Sequence, residues 1–211
     1  MKLLGIFGTS GFARELNDIA LELGYRTVYI SRDQAELDAC SSLGDVMLEC
    51  NVSLHSDMQY VIGIGDNSVR QKIAQRFGDE LSFANLIHPS ASFGKGQYEA
   101  IAASKGIIVC AGVRFTNNIR VGNFTVFNLN ATIGHDSVVD DFANVSPGAN
   151  ISGNVHIGKR CWVGTGASVN QGTELSKLVI GADTVIGSGS VVVKDCESNA
   201  VYVGIPAKRI K

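Results

Sequence analysis

From about residue 105 onward the chain keeps a period of six. Stepping by six from Val109 meets Phe115, Val121, Phe127, Ile133, Val139, Val145, Ile151, Ile157, Val163, Val169 and Leu175, all apolar and in one register. Two places before each, from residue 131, stand Ala131, Ser137, Ala143, Ala149, Val155, Cys161, Ala167 and Thr173, most of them small. No helix has this period. It predicts a β-solenoid in which each hexad makes one short side of a triangular coil. The large residue fills the centre and the small one takes the corner. Gly122, Gly134, Gly158 and Gly164 follow a large residue and are assigned positive φ at the turns. After Val169 the phase moves by one, to Ile180, Ile186 and Val192, so Gln171–Lys177 is expected to bulge as a loop.

Before about residue 90 the pattern differs. Leu3–Phe7 is a short apolar run ending at Gly8 and predicts a buried strand. Leu16, Ile19, Ala20 and Leu23 follow at helical spacing, and Gly24 ends that helix. Thr27–Ile30 and Tyr60–Gly65 predict two more strands, the second followed by a helix over Ser68–Phe77. Between Ser31 and Met58 only a short helix near Gln34–Ala39 reads out. This alternation predicts a small parallel α/β sheet. The expected organisation is a Rossmann-like α/β domain over residues 1–90 followed by a left-handed parallel β-helix over 91–211.

Charge narrows the function classes. In 211 residues, 18 Lys and Arg stand against 20 Asp and Glu, so no basic footprint for nucleic acid exists. Apolar residues make up 45%, enough for a packed core. Five scattered cysteines without a CxxC pair argue against a disulfide framework or zinc ribbon, and point to a reducing cytoplasm. Gly8 to Gly11 and then Arg14 and Glu15 interrupt the N-terminal apolar stretch, so no signal peptide reads out. No run approaches the roughly 20 apolar residues of a bilayer span. Outward positions such as Val126, Asn128, Asn130 and Trp162 carry little charge, which predicts oligomerisation with pockets between subunits.

Among four histidines, His135 follows a turn glycine, so its ring should leave the core, and Asp136 beside it can fix one tautomer. The residues alone read equally as a catalytic base or as a surface histidine with an acidic neighbour. His156 reads as a face residue, and His88 and His55 as structural. Two solenoid histidines are too few for a shared zinc site of the β-helical carbonic anhydrase kind, so no metal is expected. Gly5, Gly8 and Gly11 at a strand-to-helix turn can receive a phosphate on backbone N–H groups. The spacing is not the dinucleotide one, and Ser31-Arg32 ends the second strand where an acidic residue would favour NAD. A mononucleotide or nucleotide-sugar is favoured.

The GTSGFARE turn, IGIGDNSVRQKI, the NLIHPSA junction, the hexads and the closing VGIPAK together resemble the PglD/NeuD-like sugar acyltransferases over essentially the whole chain. The resemblance implies a homotrimer that uses acetyl-CoA to acetylate the amino group of a nucleotide-linked (UDP or dTDP) deoxysugar. It implies His135 as general base with Asp136 behind it, and Asn128 near the acceptor sugar. Ser10, Gly11, Phe12, Ser31 and Arg32 match the nucleotide-contacting stretches. Asn144, Thr165 and Ser188 match acetyl-CoA contacts. Phe12 and Asn144 depart from the family, where relatives carry histidines.

An amine must lose a proton to attack a thioester, so the implied chemistry is direct attack with His135 taking that proton. A turn N–H near Gly153 would hold the oxyanion, and Cys161 would fill a corner without acting as nucleophile. Two alternatives stay open: O-acetylation of a sugar hydroxyl by the same pair, and a non-catalytic trimeric scaffold.

Overall fold

The computed structural model describes residues 2–55 and 57–211, and the chain divides into two compact units, Met1–Leu86 and Ile87–Lys211. The division falls slightly before the expected residue 90.

The first unit is a five-stranded sheet. Strands β1 (Leu3–Phe7), β2 (Arg26–Ser31), β3 (Val46–Leu48), β4 (Gln59–Ile62) and β5 (Ser82–Phe83) lie in the order β3-β2-β1-β4-β5, every pairing parallel. Helices α1 (Gly11–Glu22), α2 (Gln34–Ala39) and α3 (Asn67–Phe77) connect them. The predicted helix over Gln34–Ala39 is present, whereas β3, three half-buried residues long, left no periodic signal.

Leu4, Ile6, Leu16 and Tyr60 are fully buried. Gly5 lies inside β1 rather than at the turn, and a Cβ there would stand 2.5 Å from the Tyr60 ring. Its role is therefore packing. The turn itself uses Gly8, at φ 103°. The chain order reverses between β1 and β4, and in open α/β sheets ligands bind at that crevice. Its far wall is rigid: the buried Arg70 guanidinium donates to the Ile64 and Gly65 carbonyls, and Asp66 caps α3 by accepting from the Ser68 and Val69 amides.

The second unit is a parallel β-helix with three flat faces. Successive strands on each face pair eighteen residues apart, as Val126 with Asn144, Thr132 with Asn150 and Val138 with His156. The hexad residues from Val109 to Val169 point inward and are buried. The small residues from Ala131 to Ala167 are fully buried beside them. Leu175 and Thr173 break the expectation: both are exposed in the loop, and Leu175 keeps phase only by chance. Beyond the loop, strands pair twenty-three residues apart (Ile157 with Ile180, Val163 with Ile186), so this turn of the coil carries five extra residues. Helix α4 (Gln97–Ala102), absent from the hexad pattern, buries Gln97, whose amide donates to the Ile119 carbonyl and accepts from the Ile119 N–H. The antiparallel pair Val201–Val203 and Lys208–Arg209 closes the other end.

The expectation for the turn glycines needs correction. Gly122, Gly134, Gly158 and Gly164 do not have positive φ. A Cβ on Gly134 would lie 2.5 Å from the Gly153 nitrogen, and one on Gly158 2.7 Å from the Ala182 nitrogen. These positions exclude a side chain because the next turn of the coil passes directly against them. Positive φ falls two residues later, at glycines such as Gly148 and Gly166 but equally at non-glycine residues: Asn118, Phe124, Asn130, Asp136, Phe142, Asn154 and Arg160 all lie near +55 to +61° except Asn118 at 53°. Each corner thus stacks one column of left-handed residues, such as Phe124 on Phe142 with ring centroids 5.3 Å apart.

This distinction is testable. Gly158→Ala should cost about 1–3 kcal/mol, the scale of overpacking, read by chemical denaturation. Gly158→Asn should be worse, whereas a positive-φ constraint would make asparagine the better-tolerated residue.

Candidate active site

The turn Gly134-His135-Asp136 leaves the strand Thr132–Ile133, and backbone hydrogen bonds fix each residue of it. Gly134 N–H donates to the Ile151 carbonyl (2.8 Å), the His135 carbonyl accepts from Asn154 N–H (2.7 Å), and Asp136 N–H donates to the Asn117 carbonyl (3.1 Å). The His135 side chain leaves the core and is 48% exposed. Its Nδ1 lies 2.7 Å from Asp136 Oδ2. An ionised carboxylate only accepts, so in the neutral ring Nδ1 carries the proton and Nε2 the lone pair.

The ring lies over Gly153, where a Cβ would stand 2.5 Å from Nε2. Residue 153 has no side chain because the imidazole occupies that space. Among the described residues nothing accepts from the Gly153 N–H. The hydrogen bond from His135, and then one from Asn118, holds the Asp136 carboxyl below the usual carboxylate range. It is therefore ionised at neutral pH. The pair opens on a cleft of about 570 Å³ walled by Asn118, Arg120, Asn154, Glu174 and Lys177. A base with a free lone pair over open space can take a proton from an acceptor group.

The other sequence candidates divide by location. Ser10 is the extended N-cap of α1, exposed and making no side-chain cap bond, and Gly11 and Phe12 begin the helix beside it. Ser31 is fully buried, and its hydroxyl donates to the Met47 carbonyl, so it faces β3 and not the crevice. Arg32 is exposed and pairs with Asp33 at 3.0 Å. An acidic group does reach the end of β2, from α2: Glu36 accepts from Thr9 Oγ1 (2.5 Å) and from Arg32 N–H (2.8 Å). Its distance along the sequence hid it.

Asn128, Asn144, Thr165 and Ser188 belong to a different face of the coil and its corner. Asn128 Oδ1 accepts from Leu129 N–H, and the buried Asn144 amide donates to Ser146 Oγ at 2.9 Å. Thr165 and Ser188 are exposed and stack on successive turns, since Val163 pairs with Ile186. The cleft of His135 includes none of the four. One copy of the chain does not bring them to the imidazole. His156 is a face residue, with its Nε2 3.0 Å from Asp140 Oδ2, a second histidine–acid pair that sequence spacing did not reveal. Cys161 is buried and its thiol is pushed up to about 12 by burial.

Comparison with known proteins sharpens this. Residues 3–77 match the PglD N-terminal domain family. The whole chain is 28% identical to GDP-perosamine N-acetyltransferase of Escherichia coli O157:H7, covering 97% of that protein. PerB from Caulobacter crescentus, solved in complex with CoA and GDP-perosamine, superposes with a TM-score of 0.86 at 26% identity. The match covers 100% of this chain and 98% of that one. The acetyltransferase domain of PglB from Neisseria gonorrhoeae FA1090, in complex with acetyl coenzyme A, gives 0.86 at 25% identity and 99% coverage of both chains. The parallel β-helix preceded by a parallel α/β unit is the fold of these acetyltransferases. Over its whole length the chain is similar to sugar N-acetyltransferases, a likeness that favours an acyltransferase over a scaffold.

A buried neutral thiol is a poor nucleophile. Iodoacetamide at neutral pH should therefore leave Cys161 unlabelled in the folded protein while exposed Cys50 reacts, as peptide mass mapping would show.

Proposed function

We propose that the protein is an acetyl-CoA-dependent N-acetyltransferase acting on the amino group of a nucleotide-linked amino-deoxysugar. The observation that carries this reading is the His135 imidazole, oriented by Asp136 at 2.7 Å and lining a cleft. N-acetylation is favoured over O-acetylation because the chain is similar over its whole length to GDP-perosamine N-acetyltransferase, which acts on nitrogen.

The acceptor amine attacks the thioester carbonyl, a C–N bond forms, and its proton passes to His135 Nε2. Asp136 stabilises the imidazolium. The unpartnered Gly153 N–H is the donor for the oxyanion, as such groups serve in acyl transfer. When the tetrahedral intermediate collapses the C–S bond breaks, and the imidazolium proton neutralises the departing thiolate of CoA. No acyl-enzyme forms.

Asn144, Thr165 and Ser188 are proposed to contact acetyl-CoA, and Asn128 the acceptor sugar. Since one chain separates them from His135, the site forms between subunits of a homotrimer, in keeping with the low charge of that face. Ser10, Gly11, Phe12 and Arg32 border the crevice of the α/β unit and are assigned to the nucleotide. No helix among the described residues is long and apolar enough to cross a membrane; we place the protein in the cytoplasm.

His135→Ala should lower kcat by about 10²-fold or more, the upper part of the general-base scale, and Asp136→Asn by about 10-fold or more. Both should leave the trimer intact by sedimentation. The assay is thiol release from acetyl-CoA with GDP-, UDP- and dTDP-linked 4-amino sugars beside free sugars. Wild-type-like turnover in folded His135→Ala, or a preference for sugars that lack the amine, would falsify the assignment.

A further inference from the structure

The five residues inserted after Val169 form a loop that walls the His135 cleft, contributing Gln171, Thr173, Glu174 and Lys177. Its last residue occupies a defined place. Asn118, Asp136 and Asn154 form the column of left-handed residues at this corner, eighteen residues apart. Val155 pairs with Leu178, so Lys177 is the next rung below Asn154. Its side chain turns back along the column. The ammonium donates to Asn154 Oδ1 (2.8 Å) and, two rungs up, to the Asp136 backbone carbonyl. The Asn154 amide donates in turn to the Thr173 and Ser176 carbonyls, at 2.6 and 3.2 Å, so the loop and the column hold each other.

With this contact every polar group of Asp136 is engaged. Its N–H meets Asn117, its carboxylate meets His135 and Asn118, and its carbonyl meets Lys177. Asp136 must keep φ at 60°, a conformation costly for a residue with a Cβ, while its carboxylate reaches the adjacent ring. The three other anchors come from Asp136's own turn of the coil and the turn before it; the fourth comes from the insertion.

We propose that Lys177 is a positioning residue: its ammonium locks the left-handed turn at Asp136 so that the carboxylate keeps His135 in the tautomer with Nδ1 protonated. The inserted loop is thus part of the catalytic apparatus, and Lys177 acts through Asp136. The inference rests on His135 being the base.

The test uses the full chain as Lys177→Met, which keeps the stem and removes the charge, and as Lys177→Arg. Histidine 15N spectra at about pH 8, where imidazoles are neutral, read the tautomer; His135 is assigned by the signal missing in His135→Gln. The parent should show His135 protonated at Nδ1, and Lys177→Met should move it toward Nε2–H. The same variant should lose about 10-fold or more in kcat, the scale of a displaced orienting partner, with KM for acetyl-CoA within about twofold, and Lys177→Arg should recover most of it. A parent-like tautomer in folded Lys177→Met, or an unchanged kcat, overturns the proposal, as does an equal fall in both variants that tracks a lowered Tm. Should His135→Ala prove fully active, the base assignment fails instead, and the spectrum alone decides whether Lys177 holds the pair.

Discussion

Backbone hydrogen bonds between coils stacked every eighteen residues set the geometry on which the second unit depends. Parallel strands lie roughly 4.8 Å apart, and at each corner the chain must turn within that spacing. Two demands follow at fixed places in the hexad. At four of these places the residue after the inward side chain meets the next coil's backbone, which excludes a Cβ at Gly122, Gly134, Gly158 and Gly164. The residue two places on takes left-handed φ, and residues as different as Asp136, Phe142 and Arg160 accept it. Favourable contacts along the column offset that strain: Phe124 stacks on Phe142, and Arg160 Nε donates to Asp183 at 2.6 Å.

The site follows from the same geometry. Between a residue that cannot carry a side chain and one that must turn left-handed stands a single position whose side chain leaves the wall. His135 occupies it. The left-handed residue behind it happens to be an aspartate, which places a carboxylate against Nδ1, and the bare Gly153 one turn below gives the ring its seat. A solenoid offers such a position at every corner, and the chemistry appears where the residue types coincide. The His156–Asp140 pair joins residues of neighbouring turns instead, and its ring is engaged through Nε2, the nitrogen that His135 leaves free.

The α/β unit shows a different economy. Its turn Gly8–Gly11 and the loop after β4 frame the crevice at the sheet's reversal, and one buried guanidinium braces that loop by holding two carbonyls. Glycine served three separate ends here. Gly5 admits the Tyr60 ring, Gly63 admits α1 at Ala13, and Gly8, like Gly24 and Gly44, uses the freedom of φ.

The sequence by itself determined the coil, because a period of six repeated through eleven buried residues leaves no other regular structure, and it marked His135 and Asp136 by adjacency. It identified the important glycines but not their reason, since a missing side chain reads the same whether φ or a neighbouring backbone demands it. Leu175 kept the phase while lying 98% exposed, because a period carries no record of an insertion until the strands pair. Contacts between residues far apart in the chain were decided by tertiary structure alone. Glu36 reaches Thr9, and Lys177 reaches Asp136 across 41 positions. Asn128, Asn144, Thr165 and Ser188 fall on a face away from His135, because which of three sides a hexad occupies depends on counting turns in space, and chemical type along the chain does not encode it.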